Sequence, residues 1–326
     1  MKVLVLGGAG YIGSHICKQL FQKGHEVVVF DNLSTGHSEA VKWGELVVGD
    51  ILNQAQCEQV FFEHGPFDLV MHFCARSLVG ESVQHPAIYF RNNVIGTVNI
   101  LDAMVKTGHN KLVFSSTAAV FGVPNVNKIN ENQPREPINP YGLSKKMVED
   151  ILQNYHHAYG LKSVCLRYFN ACGADPEAEI GERHDPETHL IPNILKSVAG
   201  SNQAGLKVFG NNYPTADGTC VRDYIHINDL AAAHMLAGDY IEQHDGAYAF
   251  NLGNGNGFSV LDVIQAAVKV VGADILYDIE LPRAGDPAIL VADASLANKE
   301  LGWKPQYTNI EDIIATAWQW HKNEAF

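Results

Sequence analysis

The chain is short of positive charge, contains no long apolar run and pairs its cysteines in no familiar spacing. Its 23 Lys and Arg stand against 36 Asp and Glu in 326 residues, a formal net charge of −13. Wrapping a polyanion takes a basic face, so nucleic-acid partners are not expected, although a few local Arg can still hold a small anion. Nowhere do about 18 apolar residues follow one another, and a membrane span is therefore not expected. Six Cys (Cys17, Cys57, Cys74, Cys165, Cys172, Cys220) form no C-x-x-C pair and no metal-ligand spacing, which reads as reduced and cytoplasmic. The apolar N-terminal run leads into a glycine cluster and is read as a strand, not a signal peptide. Repeats and low-complexity tracts are missing too, so 326 residues with 46% hydrophobic content suit one large α/β unit or two domains with buried cores.

What is present is concentrated first in residues 1–31. Val3-Leu4-Val5-Leu6 breaks into Gly7-Gly8-Ala9-Gly10-Tyr11-Ile12-Gly13, helical spacing follows to Phe21, and Val27-Val28-Val29-Phe30 ends at Asp31. That is a strand, a tight turn, a helix and a second strand. Absent side chains let a diphosphate approach backbone N–H groups at a helix N-terminus, where the dipole favours negative charge. Both G-x-G-x-x-G (Gly8, Gly10, Gly13) and G-x-x-G-x-x-G (Gly7, Gly10, Gly13) fit, and spacing does not choose between them. Asp31, eighteen residues past Gly13, stands where it can accept from an adenosine ribose. The next cation is Lys42, too far on to neutralise a 2′-phosphate, so NAD is expected over NADP.

Strands and helices then alternate. Leu46–Val48 gives a third strand before Asp50, which either faces the adenine edge or caps the helix over 54–62. Residues 67–73 form a fourth strand, 86–104 a long helix, 111–114 a fifth strand running into Ser115-Ser116-Thr117, and 163–169 a sixth. Between the last two, Asn139-Pro140 opens a helix whose packed face is assigned to Met147, Val148, Ile151 and Leu152. Alternation of this kind predicts a Rossmann-like, doubly wound parallel sheet over residues 1–172. A smaller C-terminal α/β substrate domain is expected over 173–326, with segments around 221–245 returning to the first. Residues 176–189, polar and without periodicity, are expected to be a lid or substrate loop.

The chemistry is carried by Tyr141 and Lys145, one helical turn apart on one face, with Thr117 ending a strand at the expected cofactor edge. A phenol titrates near about 10, and a base at neutral pH needs it lowered by roughly 2 to 3 units. Lys145 and the positive ring of NAD+ are expected to supply that, with Thr117 holding the reacting hydroxyl. The reaction class these groups suit is removal of a hydroxyl proton with hydride transfer from the same carbon.

Gly7 to Gly13, Asp31-Asn32, Asp50-Ile51, Phe114 to Thr117, Tyr141-x-x-x-Lys145, Arg167 to Asn170, the block Gly210 to His226, Asn251 to Gly253 and Arg283-x-Gly285-Asp286 together carry a resemblance covering nearly the whole chain. The sequence resembles the UDP-galactose/UDP-glucose 4-epimerases of the extended short-chain dehydrogenase/reductase family. This resemblance implies a 4-keto intermediate that turns in the pocket, a UDP-sugar substrate and a homodimer formed through the helices after His85 and around Tyr141. It implies Tyr141, Lys145 and Thr117 as catalytic. The cofactor would be held by Gly7, Gly10, Tyr11, Ile12, Gly13, Asp31, Asn32, Asp50, Ile51, Phe73, Asn92, Ser115 and Tyr168 besides Tyr141 and Lys145. The UDP-sugar would lie against Thr117, Asn170, Leu190, Phe209, Arg222, Arg283, Asp286 and Leu290, with the Arg pair on diphosphate oxygens.

Departures from the family pattern are Leu6 for a Thr, Phe121 for a Tyr, Ser77 for a Lys of some members, and Thr117 for a frequent Ser. UDP-pentose and UDP-uronate 4-epimerases share the frame. A 4,6-dehydratase needs an Asp-Glu pair after the Thr, and here Ala118-Ala119 follow it. A non-catalytic NAD sensor would have lost Thr117, Tyr141 or Lys145, and all three are present. His184, Glu187 and His189 are read as a solvated or substrate-contacting loop, with no metal. Leu290 either lines the sugar pocket near C2, leaving room for an N-acetyl group, or packs the core.

Overall fold

The computed structural model describes residues 1–199, 205–283 and 286–323. Four apolar residues in a row make β1 (Lys2–Leu6) a strand covered on both faces, with Val3 to Leu6 fully buried. Around it lies a seven-stranded parallel sheet. β2 (Glu26–Asp31) and β3 (Glu45–Val48) extend it on one side; β4 (Leu69–His72), β5 (Lys111–Thr117), β6 (Lys162–Tyr168) and the Ala247–Leu252 strand extend it on the other. β1 touches both β2 and β4, so the order reverses there, and a crevice opens at the carboxyl ends of those strands. The Rossmann-like expectation is met.

Each face has its own core. Ile16, Cys17 and Leu20 of the Tyr11–Gln22 helix and Leu230 to Ile241 of the Ile227–Gln243 helix cover one side. Ile100, Leu101 and Met104, together with Val148 and Leu152, cover the other. The return of the later chain to the sheet runs beyond 221–245, because Ala247–Leu252 pairs with β6 along six residues as the sheet's edge. A third core, including Ile194, Leu195, Val263, Ile264, Ile313 and Ile314, holds most of the remainder.

Three expectations need correction. The helix over 86–104 is interrupted: Pro86–Tyr89 passes into a π-helical turn at Phe90–Ile95 before Gly96–Lys106. The wider turn places Asn93 inward, where its amide bridges the Arg76 backbone and the Ser144 hydroxyl. Asp50 does not cap the next helix; Asn53 does, accepting from Gln56 N–H, while Asp50 accepts from Asn32 and from Leu52 N–H. Met147 is 38% exposed and lies outside the packed face that Val148 and Leu152 form.

Candidate active site

The glycine turn is built as backbone alone. Gly7 has φ +81°, and Cβ there would lie 2.8 Å from the Cys74 nitrogen; Cβ on Gly13 would lie 2.2 Å from the Gly7 carbonyl. At Gly8 it would lie 2.8 Å from the Val29 methyls, and of the two candidate first glycines Gly7 alone has a positive φ, which favours the register Gly7, Gly10 and Gly13. The helix that starts at Tyr11 has no side-chain cap and no acid in its first turn. Its first N–H groups therefore face the crevice without an anionic partner of their own, the arrangement a diphosphate fits. Asp31 ends β2 buried, accepting from Ala9 N–H at 3.0 Å and Leu33 N–H at 2.8 Å. Burial raises its pKa, and those two donors oppose the rise. Lys42 reaches the Glu179 carbonyl at 2.8 Å. The residues fit an unphosphorylated adenosine ribose and a diphosphate.

The remaining cofactor candidates spread along the same edge. Tyr11 donates its hydroxyl to the Gly173 carbonyl at 2.6 Å, and Ile12 packs on the first core. Asn32 reaches Asp50, and Ile51 is buried against the Gly96 backbone. Phe73 follows β4 with its ring 4.9 Å from the His234 ring, and Asn92 donates to Asn93.

Tyr141 and Lys145 project from the first turns of the Pro140–Tyr159 helix, which Asn139 caps through Gly142 N–H. Thr117 ends β5 level with Tyr168 of β6. Burial pushes the Tyr141 phenol above its ordinary pKa, and interaction with the Thr117 side chain opposes the rise. Lys145 does not hydrogen-bond that phenol: its Nζ donates to the Ser115 carbonyl at 2.7 Å and lies 4.7 Å from the Phe114 ring centre. Burial brings it down to about 8. Lowering of the phenol by Lys145 is thus not a property of the protein alone, and a further positive charge has to come from the bound cofactor. Ser115 and Tyr168 share a short hydroxyl contact beside them.

Sequence reading missed Glu149. Its buried carboxylate accepts from Ser116 Oγ at 2.6 Å, from Arg167 Nε at 2.9 Å and Nη2 at 2.6 Å, and from Arg135 at 2.9 Å. Tyr141, Lys145 and Glu149 recur every four residues, and that spacing was the available signal.

On the far side, Asn170 donates to the Asp223 carbonyl at 2.8 Å. Arg222 lies 3.6 Å from Asp286 and donates to the carbonyls of Val221 and Pro287. Arg283 stacks over Phe209 at 4.0 Å, and Gly285 lies outside the described residues. Leu290 pairs with Arg222 between strands and packs on Val120, Phe121 and Ile129, so it touches the turn that follows Thr117. Leu190 opens the Leu190–Val198 helix. The segment before it is partly exposed and partly tied down: Lys18 gathers Asp175, Glu177 and Glu179, and Trp320 donates to the Glu182 carbonyl. Glu182 and Glu187 have buried side chains.

The model of the NAD dependent epimerase/dehydratase family matches residues 3–253. A UDP-glucose 4-epimerase of Lacticaseibacillus casei is 49% identical over 324 residues, 99% of this chain and 97% of its own. The structure of UDP-glucose 4-epimerase from Brucella ovis in complex with NAD superposes with a TM-score of 0.94 at 48% identity, covering 98% of this chain and 97% of that one. The Bifidobacterium longum UDP-glucose 4-epimerase in complex with NAD+ and UDP gives 0.94 at 39% identity, covering 99% and 98%.

Replacing Glu149 by Ala leaves Arg167 buried and unpaired, which should cost about 3 to 5 kcal/mol. Urea denaturation should show the midpoint falling with an unchanged slope. An unaltered midpoint would remove Glu149 from the frame of the site.

Proposed function

The chain belongs to the NAD dependent epimerase/dehydratase family, and from that premise we propose that it interconverts UDP-glucose and UDP-galactose by NAD-dependent epimerisation at C4. The observation that carries this reading is the buried Tyr141, one turn before Lys145 and interacting with Thr117, in a chain with an uncapped glycine-turn helix that shares about half its residues with such an epimerase along its full length. The chemistry that NAD supplies when bound is uptake of a hydride from C4 of the sugar and its return. Tyr141 takes the proton from the C4 hydroxyl, and Thr117 holds that hydroxyl by its own. Lys145, fixed to Ser115, adds positive charge on the strand side, so phenolate is favoured once a cationic ring lies beside it. Loss of proton and hydride leaves a 4-keto sugar; Tyr141 returns its proton when the other face has been presented. Ala118 and Ala119 offer no proton for elimination of water, which disfavours the dehydratase alternative.

The nucleotide lies across Arg222 and Arg283, whose planar donors suit diphosphate oxygens, with Asn170, Leu190, Phe209 and Asp286 around it. A homodimer is supported by apolar side chains left exposed on neighbouring helices: Val79, Val83, Ile88, Ile95, Leu143 and Met147. Six unpaired cysteines, five of them buried, agree with a reducing compartment, the cytoplasm. Leu290 leaves room for an N-acetyl group at C2, so the acetylated UDP-hexoses are substrates as well.

Purified protein should release NAD on denaturation and convert UDP-galactose with none added; dependence on added NAD in every turnover would refute a retained cofactor. Tyr141→Phe should keep UDP-sugar binding and lower turnover at least about 100-fold, and near-normal turnover would dismiss Tyr141 as the base. For Leu290→Tyr, overpacking by roughly 1 to 3 kcal/mol should lower activity on the acetylated pair by about 5-fold to 150-fold relative to the plain pair. An unchanged ratio, or a wild type inactive on acetylated sugars, would defeat that gate. Sedimentation velocity should give a dimer that Ile95→Glu with Met147→Glu converts to monomer; a wild-type monomer would end the dimer reading.

A further inference from the structure

Between the Asn170–Cys172 strand and the helix that begins at Leu190, the chain turns through Glu182-x-His184-x-x-Glu187-x-His189. One ligand atom from each of these four side chains lies within 4.8 Å of all the others. His184 Nδ1 is 3.2 Å from Glu182 Oε1 and 3.7 Å from Glu187 Oε1. His189 Nδ1 is 4.0 Å from Glu187 Oε1 and contacts Glu182 Oε1 closely. Tetrahedral ligands at zinc bond lengths of about 2.0 to 2.1 Å stand roughly 3.4 Å from one another, inside that spread. The two imidazole rings meet edge to face with centres 5.3 Å apart, so they converge on the carboxylates without stacking on each other.

A second observation points the same way. The Glu187 side chain is 4% exposed, and its Oε2 is buried without a hydrogen-bond partner, with the Lys196 ammonium ion-paired to it at 3.8 Å. Glu187 Oε1 accepts backbone N–H groups from Thr188 at 2.9 Å and His189 at 3.0 Å and faces the His184 imidazole at 3.7 Å. Two carboxylates with 4% and 5% side-chain exposure hold the facing His184 and His189 imidazoles above their ordinary pKa, so without a metal the two rings carry the compensating charge. A divalent cation takes over that compensation by displacing the protons and leaves both imidazoles neutral, the form in which they bind metal.

We propose that Glu182, His184, Glu187 and His189 form a structural site for one divalent cation of the zinc class. Two nitrogens and two oxygens select zinc over magnesium or calcium, which take oxygen ligands in larger number. The site lies apart from the proposed hydride and proton chemistry and supplies no open position to it. Its effect is mechanical. His184 packs edge-on against the Tyr11 ring at the start of the dinucleotide turn, with ring centres 6.3 Å apart, and His189 is followed directly by Leu190. A cation here ties the cofactor side of the cleft to the segment entering the substrate side.

The test is a calorimetric titration of the full-length protein, with its bound cofactor and stripped of metal by chelator, with zinc chloride. One equivalent should bind per chain, and His184→Gln or Glu187→Gln should weaken binding at least about 10-fold, since losing a ligand costs no less than losing a group that orients one. Wild type binding no zinc, or both variants binding as tightly as wild type, would overturn the proposal. Should the variants fail to fold, crystals of wild type grown with zinc chloride decide it by anomalous diffraction. A peak bonded to both Nδ1 atoms supports the site; peaks only at other histidines, or none, overturn it.

Discussion

The frame of this molecule depends on one buried carboxylate. Glu149 sits on the helix that carries Tyr141 and Lys145, and it is gripped by Ser116 of β5 and Arg167 of β6. Because the helix repeats nearly every four residues, fixing Glu149 fixes Lys145 and Tyr141 on the same face over the same strand ends. Lys145 gains its geometry at a cost. Its ammonium is 2% exposed and brought by burial from 10.5 to about 8, which at 1.36 kcal/mol per unit disfavours the folded state at neutral pH by roughly 3 kcal/mol. The sign comes from the lowered value: between about 8 and 10.5 the unfolded chain binds more protons, so this cost fades as pH rises through that window. Arg167 and Glu149, paired within the same layer, hold the helix down against that penalty.

How far the sequence could be read depended on how local each cause was. β1, the glycine turn and Asp31 are set by neighbours within thirty residues, and their run lengths and spacings carry the signal. Even there the register needed backbone geometry, since the positive φ of Gly7, which Gly8 lacks, is what separates two overlapping glycine patterns that share Gly10 and Gly13. Glu149 escapes notice because a Glu in a helix reads as a solvated face, and its partners lie 33 and 18 residues away along the chain. Met147 fails in the opposite direction. An apolar residue at helical spacing is assigned to the core, but here it joins other exposed apolar side chains on adjacent helices.

The same blindness affects charge. A net charge of −13 reads as a surface field that repels polyanions, yet part of that acidity works inside the protein. Asp223, fully buried, accepts from the N–H groups of Asn254, Gly255 and Ala292. Asp229 does the same for Gln306 and Tyr307, and Asp175 with Glu177 and Glu179 surrounds Lys18. Asp223 and Asp229 replace regular hydrogen bonding where the later chain is irregular, satisfying donors that no helix or strand reaches. Periodicity cannot announce such staples, because their partners belong to loops far apart in sequence. The segment over 176–189 therefore reads as open although Ile180, Gly181 and Glu182 within it are buried.

These two kinds of constraint explain why a common frame can be given a narrow chemistry. The sheet ends, the glycine turn and the Tyr–Lys helix serve any reaction that begins by removing a hydroxyl proton and a hydride from one carbon. The fate of the resulting ketone depends on the groups beyond that carbon. In this chain the turn after Thr117 is Ala118-Ala119-Val120-Phe121, and its apolar side packs against Leu290 and Ile129. Eliminating water needs an acid for the departing hydroxyl and a base for the neighbouring carbon, and methyl groups provide neither. A ketone formed here lacks that exit, so return of the hydride is the remaining step. Which face receives it is a matter of how freely the sugar turns while its diphosphate stays anchored.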